Sequence, residues 1–309
     1  MIFLPYRMDS EKNGLPIFTL FICVICAFVY WNQYSKDTQH YNAVERFCSQ
    51  DLDGGSISFL RDVSHKESGN QCGDVFASIR NSEDSKAKIT ELAKQARPIG
   101  IFASKEDDYN YIHNRLDELF NKYDSKVPAS LTGELVYDPK NLNLIKMVTS
   151  TFSHGDIFHL LGNLLFFYIF SASVELIVGS FVYLIFIGVS TIGTSLAYSY
   201  AMIGVEGALP TLGLSGVVMS TVAALGVMMP TARIRCFFWF FVYFKVFRVS
   251  ALILALWYVG WDIYEMNKFG NDSYTNYVAH VSGAGVGVLI GIFYSLFRKD
   301  ILREAAVSY

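Results

Sequence analysis

The apolar positions of this chain fall into six long runs, at roughly 15–31, 157–178, 181–203, 212–229, 250–263 with its flanks, and 277–297. A helix needs about 20 such residues to cross a hydrocarbon core, so each run predicts a membrane span, the first barely long enough. An aromatic stretch at 237–247 is shorter and flanked by basic residues. It is predicted to dip into the membrane as a loop, with a seventh span as the alternative. Between the first two runs the pattern changes to a polar segment, 32–141. Within it, 82–95 and 104–123 are predicted helices. The second opens with Ser104 followed by acids and carries Tyr109, Ile112, Leu116 and Phe120 at helical spacing, an apolar face for a small core.

Composition sharpens this division. The 309 residues are 52% hydrophobic and 16% aromatic, with a mean hydropathy of +0.31, too apolar for a soluble domain of this length. Residues 32–141 carry 32 of the 53 charged side chains, whereas the longer stretch 157–297 carries 10. The predicted fold class is therefore an all-α polytopic membrane protein, a six-helix bundle with a soluble α-rich insertion between spans one and two. The predicted segments are an N-terminus (1–14), a first transmembrane helix (15–31), the polar domain (32–141), a membrane core (142–297) and a C-terminal tail (298–309). A net charge of −3 with no basic tract gives no support for nucleic-acid binding.

Lysines and arginines in short loops set orientation. Arg233, Arg235, Lys245 and Arg248 lie between spans four and five, Arg298, Lys299 and Arg303 follow span six, and Arg7 and Lys12 precede span one. The alternate loops hold Glu206, and Glu265 and Asp272 against Lys268. With six spans every basic segment falls on one side, so both termini are predicted to be cytoplasmic and residues 32–156 extracytoplasmic. The first run has a basic lead but no small-residue cleavage site after it, which favours an anchor over a signal peptide. Cys23, Cys26 and Cys236 sit in apolar sequence, while Cys48 and Cys72 are the one pair in the polar domain, and a disulfide between them would suit an oxidising compartment. His40, His65 and His113 show no ligand-like spacing.

Candidate chemistry lies in the spans. Ionisable side chains are expensive there and mark functional sites by default. Alternation sends spans two, four and six in the same direction, and their unusual polar residues all fall early: His154 before span two, His159 and Asn163 within it, Ser215 in span four and His280 in span six. Serine with histidine is the minimum constellation for nucleophilic acyl transfer. His159 and Asn163, four apart, share a helix face and can supply oxyanion donors. Gly283, Gly287 and Gly291 form a small-residue ridge headed by His280, which lets another helix approach closely; Gly213 and Gly216 relieve crowding beside Ser215. A zinc site of His154, His159 and His280 is the competing reading, but no HExxH-type pairing occurs and Glu175 lies at the opposite end of span two.

Taken together, His159-x-x-x-Asn163, Gly213-Leu214-Ser215-Gly216 and Ala279-His280-x-x-Gly283-x-x-x-Gly287 resemble the motifs of the rhomboid intramembrane serine proteases, in their order and their span assignment. Glu175 with Gly179 is similar to that family's E-x-x-x-G element, and Thr149–Gly155 to the segment ending its first loop. The resemblance covers roughly 140–297 and the first span, so the polar domain reads as an insertion. Two departures stand out within the resembling region. Ile145-Lys146 replaces the family's tryptophan–arginine pair, and Met219 stands where an aromatic residue stacks on the histidine; a thioether can still pack on an imidazole.

The resemblance implies a Ser215–His280 dyad, an oxyanion site from the Ser215 backbone N–H with His159 and Asn163, supporting roles for His154, Gly213, Gly216, Gly283, Gly287 and Met219, and no metal or cofactor. Its substrates would be transmembrane proteins in the lipid bilayer, with loop 264–276 and span five as the gate. No carboxylate is expected beside His280, Asp272 being the nearest acid on that side. The alternatives are a non-proteolytic protein of the same fold that binds membrane clients, and a transporter, for which Asp262 near the end of span five is a poor candidate.

Overall fold

The computed structural model describes residues 2–8, 14–64, 71–82, 84–97, 104–205, 208–240, 243–269 and 275–307. Lys12, His65, Glu206 and Asp272 lie outside the described residues, as does the 270–274 part of the expected gate. The chain divides into two compact units, Asn32–Glu134 and the combination of Met1–Trp31 with Leu135–Tyr309.

Helix α1 (Ile17–Arg46) is 30 residues long, not the short span expected to stop at 31, because no proline or glycine interrupts it. In the Asn32–Glu134 unit it leads through a π-helical turn (Phe47–Asp51) to α2 (Gly54–Ser64), α3 (Gln71–Arg80), α4 (Ser85–Gln95) and α5 (Lys105–Lys126). Asp84 and Ser104 accept backbone N–H groups at the starts of α4 and α5, and three acids in the first turn of α5 complement its dipole. Ile112, Leu116 and Phe120 bury the face predicted for α5, and with Phe47, Leu60, Phe76 and Tyr123 they make a single core. A disulfide joins Cys48 to Cys72 across a sequence separation of 24. Closing such a loop restricts the unfolded chain, worth about 3 kcal/mol in the chain-entropy account.

After a short α6 (Leu131–Leu135), the second unit continues with α7 (Leu144–Phe152), α8 (Ile157–Val178), α9 (Ser180–Ala201), α10 (Ser215–Met228), α11 (Ala251–Phe269), α12 (Tyr277–Phe297) and α13 (Lys299–Val307). Among the described residues, four helices are long and apolar enough to cross a membrane: α1, α8, α9 and α12. This is an integral multi-pass membrane protein. Of the other two predicted spans, α11 carries Asp262, Glu265 and Lys268 and extends to residue 269, past the expected end at 263. Helix α10 has only 14 residues, about 21 Å, and it packs against α8, α9, α11 and α12.

One buried carboxylate in this unit is fully engaged. Glu175 of α8, 2% exposed, accepts from the backbone N–H groups of Phe18 and Thr19 and from the Thr19 and Ser180 hydroxyls, at 2.8–3.1 Å, and so caps the start of α1. Gly179, at φ +82°, reverses the chain between α8 and α9.

The loop expected to dip into the membrane at 237–247 is instead a β-hairpin. Strands β2 (Arg233–Phe240) and β3 (Tyr243–Ser250) pair antiparallel, and β1 (Ile2–Met8) joins the other edge of β2, in the order β1-β2-β3. The physical reason is period-two alternation: Ile234 and Cys236, fully buried, enter the bundle core, while Arg233 and Arg235 turn away from it. With Arg248, directly opposite Arg235, they line a cleft of about 640 Å³.

Candidate active site

The local chain explains how each polar side chain is held. Asp156 caps α8, accepting from Phe158 N and His159 N at 2.8 and 2.9 Å, so α8 begins just before His159. Ser215 is the first residue of α10, and Leu214 before it supplies no side-chain cap. The first N–H groups of α10, beginning with that of Ser215, have no partner within the helix. Gly213 is held at φ +112°, and its N–H donates to Ser150 O at 2.8 Å. A Cβ on Gly213 would sit 2.8 Å from the His159 imidazole, so only glycine fits beside it. Asn276 caps α12, accepting from Ala279 N at 3.0 Å, one turn before His280.

Helices α10 and α12 meet backbone to backbone. A Cβ on Gly283 would overlap the Gly216 carbonyl oxygen, and one on Gly287 the Ser220 carbonyl oxygen. At Gly291 the nearest atom, Ala224 O, would be 3.1 Å away. Gly216 in turn is closed off by Thr194 Cγ2 of α9, 2.6 Å from where its Cβ would be. The ridge predicted from spacing therefore faces α10, and it brings His280 toward the N-terminal end of that helix.

A cavity of about 720 Å³ opens there, and Ser215, His280, His159, Asn163 and Met219 all line it. Residues from α8, α10 and α12, far apart in sequence, thus share one hollow in an apolar bundle. No hydrogen bond joins Ser215 to His280 among the described residues; such contacts commonly tighten only around substrate. Asn163 is 7% exposed, and its Nδ2 is buried with no hydrogen-bond partner. Leaving such a donor unpaired costs about 1–3 kcal/mol, which marks a position built to receive an acceptor.

Among the other predicted residues, His154 backs this wall without lining it. His154 is 1% exposed and packs edge-on against the His159 ring, with centroids 5.2 Å apart. Burial, with a smaller contribution from His159, pushes the His154 imidazole down to about 4. Met219 packs with Ala223 and Ala284 beside Tyr258; the aromatic ring edge-on to His280 is Tyr277 of the same helix, at 6.1 Å. Cys48 and Cys72 belong to the Asn32–Glu134 unit. Among the described residues no three His, Cys, Asp or Glu side chains are grouped to hold a metal ion.

One residue of the site was missed. Asp262 of α11, 9% exposed, lines the cavity and places Oδ2 3.0 Å from His280 Nδ1. This corrects the expectation that no carboxylate approaches His280. The available signal was an acid within an otherwise apolar run. Ending span five at 263 hid it, because Asp262 then fell at a membrane edge instead of inside a helix reaching residue 269.

Comparison with known proteins identifies the family of the chain. Residues 141–297 match the model of the rhomboid domain. Over 171 residues the chain is 27% identical to the mitochondrial presenilin-associated rhomboid-like protein of Bos taurus and 26% identical to that of Homo sapiens. In each case the match takes in 52% of this chain and 41% of the relative, so the chain spans less than half the length of these curated relatives. The protein is a member of the rhomboid family.

Proposed function

We propose that this protein is an intramembrane serine endopeptidase that hydrolyses peptide bonds in or near the transmembrane segments of other membrane proteins. The observation that carries this reading is the meeting of Ser215, His280 and the unpartnered Asn163 amide on one cavity within an apolar helical bundle. In the proposed reaction Ser215 Oγ attacks a peptide carbonyl as its proton passes to His280. The resulting oxyanion is held by Asn163 Nδ2, by the His159 ring and by the Ser215 N–H at the start of α10, where the helix dipole adds positive potential. Collapse expels the amine with the proton from His280, leaving an acyl-enzyme that water hydrolyses by the reverse relay. The chemistry asks for no metal or cofactor.

The setting supports the same reading. A 14-residue α10 is about 9 Å shorter than a hydrocarbon core of about 30 Å, so its Ser215 end can lie below the membrane surface. The residues leading into it, 208–214, are not helical, and such backbone is tolerated at membrane depth only where protein or water covers it. A cavity open to water meets that need and also supplies the hydrolytic reagent. In this proposal 142–297 is the protease core, 32–141 an extracytoplasmic insertion, and both termini are cytoplasmic.

The test is labelling by a fluorophosphonate probe in detergent, alongside cleavage of a single-span substrate. The wild type should label and cleave, and Ser215→Ala should do neither while reaching the same expression level, since it removes one hydroxyl. Loss of one member of such a unit costs several orders of magnitude. Equal labelling and turnover in the two proteins would remove the assignment and leave a client-binding role for the fold.

A further inference from the structure

The carboxylate beside His280 has a consequence for the chemistry of the imidazole. We propose that Asp262 is a positioning residue that fixes the tautomer and orientation of His280, making the unit Ser215–His280–Asp262 rather than a serine–histidine pair. The inference rests on the proteolytic reading and deepens it.

Three observations carry it. First, Asp262 Oδ2 lies 3.0 Å from His280 Nδ1, a hydrogen-bond distance, with both side chains largely shielded from solvent. Second, an ionised carboxylate only accepts hydrogen bonds, so the nitrogen facing it must carry the proton. In the neutral ring Nε2 is then left as the base, with its lone pair available for the Ser215 proton. Without the carboxylate either nitrogen could hold the proton, and rings protonated on Nε2 would be unable to accept it. Third, Asp262 is placed where an acid is costly. It sits within α11 among apolar neighbours, 9% exposed, and lines the cavity with Ser215 and His280. Such a residue is retained where it pairs with something that needs it.

The ring is thereby held from two independent helices. Backbone contact at Gly283 fixes α12 against α10, and Asp262 reaches the ring from α11. Among the helices around it, α10 carries no charged side chain and α9 contributes only tyrosines as ionisable groups, and from α8 the cavity receives His159 and Asp156. Of the two acids on the cavity wall among the described residues, Asp156 is engaged in capping α8, and Asp262 is the one at hydrogen-bond distance from His280. During turnover no proton moves to Asp262: the proton from Ser215 enters His280 at Nε2, the Nδ1–H stays on the ring, and the carboxylate faces the imidazolium until Nε2 protonates the leaving amine.

The experiment compares the wild type with Asp262→Asn and Asp262→Glu in detergent, by kcat and KM on a transmembrane substrate, by rate of fluorophosphonate labelling, and by the nitrogen-15 spectrum of labelled histidines, His280 being assigned by its loss in His280→Ala. Asp262→Asn should lower kcat by roughly 10²–10⁴-fold, by favouring the wrong tautomer, with KM changed less than about threefold; Asp262→Glu should recover part of the loss. In the spectrum, the wild type should show His280 protonated on Nδ1 and Asp262→Asn should not. A bridge that merely ties α11 to α12 would leave the tautomer alone and change thermal stability instead. An unchanged kcat with an unchanged tautomer in Asp262→Asn overturns the proposal while leaving proteolysis intact. A wild type that neither labels at Ser215 nor cleaves overturns the proteolytic reading, and this inference with it.

Discussion

At the scale of single residues, the site combines groups that are unpartnered with groups that are locked. Asn163 Nδ2 is the clearest of the first kind, buried without an acceptor on the cavity wall. If it is an oxyanion donor it acts mainly in the transition state, so Asn163→Ala should lower kcat by roughly 10²-fold while KM changes little. Steady-state kinetics on one substrate decides this, and an unchanged kcat would return Asn163 to a packing role. His154 is of the second kind. Its ring is held neutral by burial, with its folded value near 4 against 6.5 in the unfolded chain. Between those values the unfolded state binds more protons, so the contribution of His154 to stability is complete above about pH 6.5 and is lost as the pH falls toward about 4. The shift corresponds to about 3 kcal/mol. His154→Gln should therefore flatten the dependence of thermal unfolding temperature on pH across that window, relative to the wild type. Parallel curves for the two proteins would show that this ring does not titrate on unfolding.

At the scale of elements, the contact between α10 and α12 is the feature on which the rest depends. Gly283→Val would drive a side chain into the Gly216 carbonyl and push the helices apart, and a displacement of about 1 Å at a reacting group can cost about 10²-fold in rate. Activity and Ser215 labelling should collapse although both reacting groups remain. Gly291→Val meets Ala224 O at 3.1 Å, two turns farther along, and should cost less. Both variants should insert, valine being no less apolar than glycine, and full labelling in Gly283→Val would mean that another contact brings His280 to the serine. This element was legible in the sequence because glycines at a spacing of four can be read from one helix alone, without knowing its partner. Ser215, His280, His159 and Asn163 were legible for a similar reason: each is a polar exception in an apolar run, and their early positions in runs of the same direction bring them together. Two features were not. The β2–β3 hairpin is rich in aromatic residues, and its alternation at Arg233–Cys236 is too short to outweigh an apolar run. Asp262 depends on where α11 ends, and helix ends are set by caps and packing that a hydropathy pattern does not contain.

At the scale of the whole molecule, the remaining question is which side of the membrane each unit occupies. Two physical arguments about sidedness converge. Arg233, Arg235 and Arg248 cluster on the cleft beside the β-sheet, and Arg298, Lys299 and Arg303 follow α12; lysine and arginine in short loops are retained on the cytoplasmic side. The Cys48–Cys72 disulfide calls for an oxidising compartment, which the cytoplasm is not. Under the proposed topology of six crossings, both termini would fall on the basic side and the disulfide-bearing unit on the other. A membrane-impermeant maleimide tests this in intact cells, with Cys26 and Cys236 buried and the half-buried Cys23 replaced by serine to remove its background. Asn121→Cys, exposed on α5, should react before permeabilisation, and Arg303→Cys, exposed on α13, only after it. Cys48 and Cys72 should stay unreactive until reduced. The reverse pattern, with Arg303→Cys labelled first and the native pair free, would put the Asn32–Glu134 unit in the cytoplasm. It would also turn the Ser215 cavity to that face, so that substrates would have to present their cleavage sites from the cytoplasmic side.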